Sequence, residues 1–533
     1  MNNSTTAQLN GQYSLAKILG VWLLLGLLLA ACGKKEEAPL TVPEGAQAGQ
    51  MVGMEPCTYT ANDVEYVADC GQLIVPENRD NPDSRLISIP VTRIKSTGAN
   101  PAEPIFFLPG GPGESNSGTS RLKWFIENHD FVIVGFRGVD GSVRLDCPEV
   151  SDHIKNLPGD MLGAASMEQM TAAYASCAER LQNEGVDLAG YTPVEVVDDF
   201  EAARMALGYD KINLFSISYG TRLAMIYAWR FPESIHRSAM VGVNPPGHMF
   251  YYDPVVIDQQ LAYYADLCAQ EPKCSALTDD LAETMRTVSY NMPERWMGLP
   301  IDLGMIRAAS LESLSDTQSA SKVFDVWLAA ARGDYSGMTM LSLAGPMMFA
   351  NATVWGDNMA KAASADFEAT YQLRADMDLA SSIIGASRSE MAAAAAGWPV
   401  KTISEEYQQM QPSDVETLLV SGNIDFWTPA HLAEEKVLPY LSKGQHVVVS
   451  ESGHGEMLSR QPEASERLLS SFFDTGEADD SLFTYQPWEY DPGLGFPAIA
   501  KIILAATILI PLLLVGFVRL VIRRVRSRRK LTR

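Results

Sequence analysis

Residues 212–221 read Ile212-Asn213-Leu214-Phe215-Ser216-Ile217-Ser218-Tyr219-Gly220-Thr221. The apolar run at the start of this stretch predicts a short buried strand, and Thr221 to Trp229 predicts a helix. Ser218 lies between the two, with small residues two positions before and two positions after it, as a tight strand-to-helix turn requires. Such a turn lifts a serine above the edge of a sheet. Taken alone, a serine-rich turn of this kind is also a common structural feature.

Strands and helices alternate along the chain on both sides of this turn. Apolar runs predict further strands at 70–75, 86–94, 105–108, 131–134, 418–420 and 446–449, and a one-sided apolar pattern predicts a helix at 196–207. This alternation predicts an α/β fold with a mostly parallel sheet. From Gly247 to Trp398 the sequence is rich in Ala and Met, helical in pattern and without a clear strand. Because strands resume afterwards, we expect an inserted helical lid rather than a separate domain.

Two later segments supply partners for Ser218. Asp425 follows one predicted strand, and His454 follows another within Ser452-Gly453-His454-Gly455. The order Ser, Asp, His is that of α/β hydrolases. A serine hydroxyl is a weak nucleophile until a base removes its proton, and an imidazole held by a carboxylate does this near neutral pH. We therefore predict Ser218, Asp425 and His454 as a catalytic triad.

A glycine-rich loop follows the predicted strand at 105–108. It reads Pro109-Gly110-Gly111-Pro112-Gly113. Glycines allow a backbone N–H to face a substrate carbonyl. We predict an oxyanion hole formed by the N–H of Gly110 or Gly111 together with that of Tyr219. The alternative is a tight turn without a catalytic role.

Together these segments resemble the prolyl aminopeptidase and tripeptidyl aminopeptidase family of α/β hydrolases. The resemblance covers about Pro56 to Phe473 and rests on the glycine loop and on residues 70–76, 218–221, 420–429 and 453–455. Pro109, where prolyl aminopeptidases usually have His, is closer to the tripeptidyl branch. The resemblance implies a serine peptidase that releases N-terminal residues or short peptides through an acyl-enzyme, without a cofactor.

Three residues depart from the family pattern. Ser216 stands in place of Gly, Gly135 stands where the second loop often has Asp, and Asp140 stands where it often has Gly. These departures leave two alternatives open: an esterase or other acyl hydrolase, and a non-catalytic binding subunit. The substrate is expected to be a peptide or a small acyl compound. An aminopeptidase also needs a carboxylate for the substrate ammonium, for which Glu114 and the acids of the lid are candidates.

The N-terminus predicts export and lipidation. The apolar run from Ile18 to Ala31 ends in Leu29-Ala30-Ala31-Cys32, which resembles a bacterial lipobox. Residues 1–31 are therefore expected to be a lipoprotein-type signal peptide, Cys32 to be lipidated, and residues 32–55 to form a flexible tether. An uncleaved N-terminal membrane helix is the alternative.

The C-terminus predicts a membrane span. Ala498 to Val518 is an apolar run of 21 residues interrupted by Lys501 and Pro511, close to the roughly 20 residues that cross a bilayer. Trp488 and Tyr490 precede it, where aromatic residues favour the interface. We therefore expect a transmembrane helix at 498–522 and a basic cytoplasmic tail at 523–533. The alternative is an amphipathic surface helix.

The predicted segments also give the expected domain boundaries. The hydrolase core is expected at 56–246 and 399–480, with the lid at 247–398 and a linker at 481–497. With both termini attached to lipid, the expected location is the bacterial inner membrane, with the catalytic domain in the periplasm.

Composition and charge exclude several classes of protein. Hydrophobic residues make up 47% of the 533 residues and charged residues 20%, which excludes a disordered or collagen-like chain and a multi-span membrane protein. The net charge is −24, and because the last fifteen residues hold eight of the Lys and Arg residues and no acid, the rest carries −32. A body this acidic is repelled by phosphate backbones, so we expect no nucleic-acid binding.

Cysteine usage indicates an oxidising compartment. Six cysteines remain when Cys32 is set aside, and six allow 15 pairings. Sequence proximity favours the pairs Cys57–Cys70, Cys147–Cys177 and Cys268–Cys274. The rival interpretation, a metal site, lacks a CxxC motif and a histidine at ligand spacing, so no metal is expected.

Overall fold

The computed structural model describes residues 40–249, 252–375 and 382–531, without the side chains of 367–375, 507, 508, 511 and 525–531. The predicted signal peptide at 1–31, the lipidation site Cys32 and the first part of the predicted tether therefore lie outside the described residues. Residues from Thr41 onward form one compact unit.

Nine of the described strands form one sheet, and two more form a short hairpin. Numbered in chain order, the strands β1 to β11 are Met51–Ala61, Val64–Pro76, Leu86–Ile94, Ala102–Leu108, His129–Val134, Ile212–Ile217, Ile235–Val241, Arg295–Trp296, Leu299–Pro300, Glu416–Gly422 and Gly444–Val449. The order in the large sheet is β1-β2-β3-β5-β4-β6-β7-β10-β11. The first three strands pair antiparallel, β3 is antiparallel to β5, and the strands from β5 to β11 in this order are parallel. The predicted mostly parallel sheet is confirmed.

Helices pack on both faces of the sheet, and further helices form the segment between β7 and β10. In chain order, α1 to α15 are Pro148–Lys155, Ala164–Asn183, Pro193–Leu207, Tyr219–Arg230, Pro254–Gln270, Pro272–Ser275, Leu281–Tyr290, Leu303–Ser313, Thr317–Ala331, Ser336–Phe349, Trp355–Ala375, Ser387–Met391, Met457–Arg460, Pro462–Thr475 and Phe496–Leu531.

The central strands are apolar on both sides because both faces of the sheet are covered. In β4, Phe106 and Leu108 pack into the core on one face, whereas Ile105 and Phe107 pack into the core on the other. All four side chains are buried. Such strands appear in the sequence as short continuous apolar runs rather than as alternating ones. Their carboxyl ends share one edge of the sheet, where the loops after β4, β6, β10 and β11 meet.

The segment between β7 and β10 supplies the lid. It contains α5 to α12, together with the hairpin of β8 and β9, which the sequence pattern did not predict. Aromatic side chains form much of its core: the rings of Tyr264 and Phe324 lie 4.9 Å apart, and those of Tyr264 and Trp488 lie 5.3 Å apart. Ile424 and Phe426 belong to the same buried cluster as Trp488, so the lid packs against the loop after β10 and the segment after α14.

At the N-terminal side, β1 begins at Met51, inside the segment predicted as a tether. Residues 51 to 61 pair with β2 along its length, which gives their backbone groups hydrogen-bonding partners that a tether would lack. The end of the tether therefore belongs to the sheet.

The C-terminal helix differs from the membrane span that the sequence predicts. Among the described residues up to 531, no helix combines the length and the apolar character needed to cross a membrane. The predicted transmembrane helix at 498–522 is therefore wrong. Its start is docked on the lid: Lys501 Nζ forms an ion pair with Asp334 at 2.8 Å, and Ser336 Oγ donates to Pro497 O at 3.2 Å.

The two aromatic residues predicted to lie at a membrane interface are buried in the lid. Trp488 is 4% exposed and Tyr490 is 3% exposed, and Trp488 Nε1 donates to Thr317 O at 3.2 Å. The predicted linker at 481–497 is thus packed against the lid at these residues. A count of apolar residues could not detect this, because it contains no information about which surface the residues contact.

Candidate active site

Ser218 occupies the sharp turn between β6 and α4. Its φ is 55° and its ψ is −123°, a conformation that is uncommon for any residue other than glycine. The Ser218 N–H donates to Val241 O at 2.9 Å, and its carbonyl accepts from Thr221 N at 2.9 Å and from Thr221 Oγ1 at 2.6 Å. A Cβ at Gly220 would collide with Leu108 O. The strained turn is thus held by its neighbours, as is usual at functional sites.

Asp425 and His454 form a hydrogen-bonded pair at the ends of β10 and β11. His454 Nδ1 lies 2.8 Å from Asp425 Oδ2, and the carboxylate is fully buried. Asp425 Oδ1 accepts from the N–H of Trp427 at 2.8 Å and from that of Thr428 at 2.9 Å. Thr428 Oγ1 donates to Asp425 Oδ2 at 2.7 Å and lies 2.9 Å from His454 Nδ1. This arrangement favours the tautomer with the proton on Nδ1 and leaves Nε2 as the base.

The carboxyl group of Asp425 remains ionised despite its burial. Burial by itself raises the pKa of Asp425, but the charge and hydrogen bond of His454, together with the hydrogen bonds from Thr428, outweigh it. The net result is a pKa below the ordinary value of an aspartate. An ionised carboxylate in this place stabilises the imidazolium that forms when the base takes a proton.

The imidazole ring of His454 is held by residues from three segments. Its backbone N–H donates to Ser315 O at 2.7 Å, and the ring of Trp427 lies 5.0 Å from the imidazole. A Cβ built on Gly242 would lie 2.9 Å from His454 Cε1, and Gly242 has a φ of +64°. A larger residue at 242 would therefore move the ring.

Ser218 and His454 line one cavity of about 510 Å³. Its walls are largely apolar and include five methionines, which are Met170, Met249, Met348, Met359 and Met391. Among the described contacts, the hydroxyl of Ser218 forms no hydrogen bond with His454. Catalytic hydrogen bonds of this kind commonly tighten only when a substrate binds.

The glycine loop also lines this cavity. A Cβ built on Gly110 would lie 3.4 Å from Ser218 Cβ and 3.8 Å from Ser218 Oγ, so the loop passes directly beside the serine. Within the described part of the chain, the N–H groups of Gly110, Gly111 and Tyr219 have no backbone or side-chain acceptor. The three predicted donors are therefore available to an oxygen in the cavity.

Two of the departures from the family pattern complement each other. A Cβ on Gly135 would lie 2.8 Å from Asp140 Cβ and 2.6 Å from Pro90 Cγ, so glycine makes room for the aspartate. Asp140 Oδ2 accepts from Phe136 N at 2.7 Å and from Asn116 N at 3.0 Å. Asp and Gly have thus exchanged positions relative to the family pattern, and the Asp140 carboxylate holds the loops after β4 and β5 together. The third departure, Ser216, is buried and donates to Ala239 O at 3.1 Å.

Two carboxylates line the cavity. Glu312 is paired with Arg388, with Nε–Oε1 and Nη2–Oε2 distances of 2.5 and 2.6 Å. Glu114, one of the candidates for binding the substrate amine, is exposed and forms no hydrogen bond or ion pair with the described residues. Burial lowers the pKa of Arg388, but the charges of Glu312 and Glu114 help to raise it overall. Glu114 is therefore near enough to interact with this pair while remaining unpaired.

Several residues at this site had no role assigned from the sequence. Trp427 follows Asp425 by two residues, and Thr428 follows it by three. A hydroxyl three residues after the acid is the one local signal that could have identified Thr428. Gly242 carried no such signal, because its role depends on a segment that is distant in the sequence.

The six described cysteines are joined in pairs. The disulfides are Cys57–Cys70, Cys147–Cys177 and Cys268–Cys274, the pairing that sequence proximity favours. Among the described residues, the one cluster of potential metal ligands is Cys147, Glu149 and Cys177. Because its two sulfurs are bonded to each other, it offers no thiolate to a metal.

Comparisons with known proteins agree with this fold. The family model for the alpha/beta hydrolase fold matches residues 103–300, and the model for TAP-like proteins matches residues 381–482. The resemblance to α/β-hydrolase serine peptidases is confirmed. Serine protease Hip1 of Mycobacterium tuberculosis is 28% identical over 293 residues, which cover 50% of this chain and 55% of that protein.

A second relative comes from another genus. Tripeptidyl aminopeptidase of Streptomyces coelicolor is 28% identical over 243 residues, which cover 42% of this chain and 44% of that protein. The chain thus spans about half the length of the curated relatives it matches. A solved serine hydrolase from Cycloclasticus zankles aligns with 77% of this chain and 100% of its own at 12% identity, with a TM-score of 0.37.

Proposed function

We propose that this protein is a serine peptidase that releases N-terminal residues or short peptides from substrates with a free amine. The observation that carries this proposal is the buried Asp425–His454 pair, 2.8 Å apart, which shares a cavity with a serine in a strained turn. The tripeptidyl aminopeptidase relative supports the choice of substrate.

The first half of the reaction forms an acyl-enzyme. Ser218 Oγ attacks the scissile carbonyl carbon while its proton passes to His454 Nε2, and Asp425 stabilises the imidazolium. The negative charge that develops on the carbonyl oxygen is stabilised by the N–H groups of Tyr219 and of Gly110 or Gly111. The C–N bond then breaks, and the leaving amine takes the proton from His454.

The second half restores the enzyme. A water molecule attacks the acyl carbon and gives its proton to His454. The C–O bond to Ser218 breaks, the serine regains the proton, and the product leaves as a carboxylic acid. One water is consumed and no redox step occurs, so the reaction requires no cofactor.

The charges around the cavity favour a cationic end on the substrate. Glu114 and Glu312 contribute two negative charges, and Arg388 contributes one positive charge. Since Glu312 is already paired, Glu114 is the proposed partner of the substrate ammonium. Its exposure to solvent limits the strength of this interaction.

A substrate panel tests the activity. Aminoacyl and tripeptidyl amides with free and with acetylated N-termini are compared with short acyl esters on the full-length protein. We expect the free amides to be cleaved and acetylation to remove most of the rate. Cleavage of the esters alone would favour an esterase, and no turnover of any substrate would favour a binding subunit.

A charge substitution tests the role of Glu114. Glu114→Gln should raise KM by up to about fivefold for free amides, as expected for loss of a solvent-exposed ion pair, and should leave the acetylated amides unchanged. The matched control is Glu127→Gln, because Glu127 is exposed and does not line the cavity. Equal effects of the two substitutions would remove Glu114 from the site.

We further propose that the catalytic body lies outside the cytoplasm and is attached to lipid through Cys32. The three disulfides support the compartment, because such bonds persist in oxidising environments. Peptide mapping without reduction should find no free thiol among the six cysteines. Metabolic labelling with palmitate should mark the wild type and not Cys32→Ser, and equal labelling of both would contradict the lipid site.

A further inference from the structure

The glycine loop adopts a shape that it does not support by itself. Gly111 has a φ of +132° and Gly113 a φ of +86°, both in a region that favours glycine. Pro109 and Pro112 lack an N–H, so the loop has few donors with which to form its own turn. Its conformation therefore depends on partners from elsewhere in the chain.

Those partners come from the start of α11 in the lid. Asn358 Nδ2 donates to Pro112 O at 2.9 Å, and Thr353 Oγ1 donates to the same oxygen at 3.3 Å. The N–H of Val354 donates to Gly113 O at 2.9 Å. Two successive carbonyls of the loop are thus held by one short segment of the lid, which we name the loop clamp (residues 353–358).

The loop clamp is itself fixed to the segment that follows β5. Asp357 and Lys361 form an ion pair in which both side chains are fully buried. Lys361 Nζ also donates to Arg137 O at 3.0 Å, in the loop after β5, and the N–H of Gly356 donates to Leu145 O at 3.1 Å. The clamp therefore connects the glycine loop to the segment between β5 and α1.

The core holds the other end of the loop. Asn116 Nδ2 donates to Phe107 O at 3.0 Å and to Val134 O at 2.8 Å, which ties the chain after the loop to the ends of β4 and β5. With one end held by the core and the middle held by the lid, the N–H groups of Gly110 and Gly111 are fixed beside Ser218.

We infer that Asn358 and Thr353 are positioning residues for the oxyanion hole. They act through Pro112 and orient the N–H groups that stabilise the tetrahedral intermediate, so that catalysis depends on a docked lid. This inference rests on the proposed serine-hydrolase function. It assigns to the lid a part in transition-state stabilisation in addition to covering the cavity.

Asn358 and Thr353 also line the cavity, so a direct contact with the substrate is the competing explanation. The two explanations differ in what they change. A residue that contacts the substrate affects ground-state binding, whereas a residue that positions the oxyanion hole affects the transition state more strongly than the ground state.

Three measurements on the full-length protein separate these explanations. The first is kcat and KM for the best amide of the panel. The second is the inhibition constant of phenylboronic acid, whose boron accepts Ser218 Oγ and becomes a tetrahedral anion. The third is the dissociation constant of the same amide on the Ser218→Ala background.

We expect Asn358→Ala to lower kcat about tenfold and to weaken phenylboronic acid by a similar factor, since small misplacements of catalytic groups cost up to about 10²-fold. KM and the ground-state dissociation constant should stay within about twofold. Asn358→Asp should be no better than Asn358→Ala, because it removes the donor and places a carboxylate against Pro112 O.

Thr353 gives an independent test. Thr353→Val should lower kcat by a smaller factor, since its bond is longer, and Thr353→Ser should restore the wild-type value because it keeps the hydroxyl. The control is Asn351→Ala, whose exposed amide lies just after α10 and donates to Met347 O at 3.3 Å. Melting temperatures of all variants show whether the lid remains folded.

The inference is overturned if kcat and ground-state binding weaken in parallel, or if Asn358→Ala matches the wild type in every measurement. Failure of the proposed function is a distinct result: wild-type protein would then neither cleave the amides nor bind phenylboronic acid through Ser218.

Discussion

His454 and the glycine loop line the same cavity, yet they are held in place by different means. The acid that orients His454 is fixed by residues next to it in the sequence: Trp427 and Thr428 follow Asp425 by two and three residues. The glycine loop is fixed by Thr353, Val354 and Asn358, which lie more than 240 residues further along the chain.

The difference shows that the glycine loop depends on the lid more than the acid does. The lid also contacts the base, because the His454 N–H donates to Ser315 O at 2.7 Å. Once β10 ends, the turn after it satisfies the Asp425 carboxylate by local hydrogen bonds that need little else to fold. The glycine loop obtains its partners only when α11 docks against the sheet. Changes to the acid–base pair should therefore act on the chemistry directly, and changes to the clamp should act through the geometry of the oxyanion hole.

The largest expected effect is loss of the nucleophile or the base. Ser218→Ala should abolish labelling by a fluorophosphonate probe, and His454→Ala should nearly abolish it, because the hydroxyl is then not activated. Each should lower kcat by about 10⁶-fold, and the double variant should be no worse than either, since these residues act as a unit. Persistent labelling of Ser218→Ala would remove the serine from its assigned role.

The second effect concerns the acid. Asp425→Asn keeps an oxygen for the N–H groups of Trp427 and Thr428 but no longer fixes the proton on His454 Nδ1. We expect kcat to fall about 10⁴-fold with KM little changed. A loss below tenfold would mean that the local hydrogen bonds, rather than the carboxylate charge, orient the imidazole.

The same substitution has a pH signature in stability. Because the pKa of Asp425 is lowered in the folded protein, its ionised form stabilises the fold above the unfolded pKa of about 3.9, and this stabilisation is lost as pH falls through the folded pKa. The melting-temperature difference between wild type and Asp425→Asn should shrink as pH falls below about 4. A difference that persists unchanged at lower pH would contradict the lowered pKa.

The third effect tests the clamp from the loop side. A Cβ at Gly113 would collide with Thr353 Oγ1 and lie 3.0 Å from Val354 O, and the φ there is +86°. Gly113→Ala should lower kcat about 10²-fold by displacing the loop. Gly159→Ala is the control, because a Cβ there meets no atom within 4 Å. Equal activity of the two variants would show that the loop tolerates displacement.

The smallest effect tests the local support. Thr428→Val removes the hydroxyl that donates to Asp425, and Thr428→Ser keeps it. We expect kcat/KM to fall about tenfold in the first variant and to be close to wild type in the second. If Thr428→Ser loses activity and Thr428→Val keeps it, the threonine methyl group, and not its hydroxyl, supports the pair.

Much of the fold and the residues of the candidate triad were accessible from the sequence because their signals are local. Short apolar runs such as Ile105 to Leu108 mark strands covered on both faces, and a serine between small residues marks the turn after β6. The apolar run at 498–518 was an equally local signal and led to the wrong conclusion. Its neighbours Trp488 and Tyr490 are buried in the lid, which a residue count does not detect.

The sequence by itself determined the mostly parallel sheet, the order of Ser218, Asp425 and His454, and the glycine loop beside the serine. These depend on hydrophobic periodicity and on turn chemistry, which act over a few residues. Only the tertiary structure decided that Asn358 and Thr353 hold Pro112, that Gly242 makes room for His454, and that α15 begins against the lid. Contacts between distant segments form only when the chain packs, and no pattern of neighbouring residues encodes them.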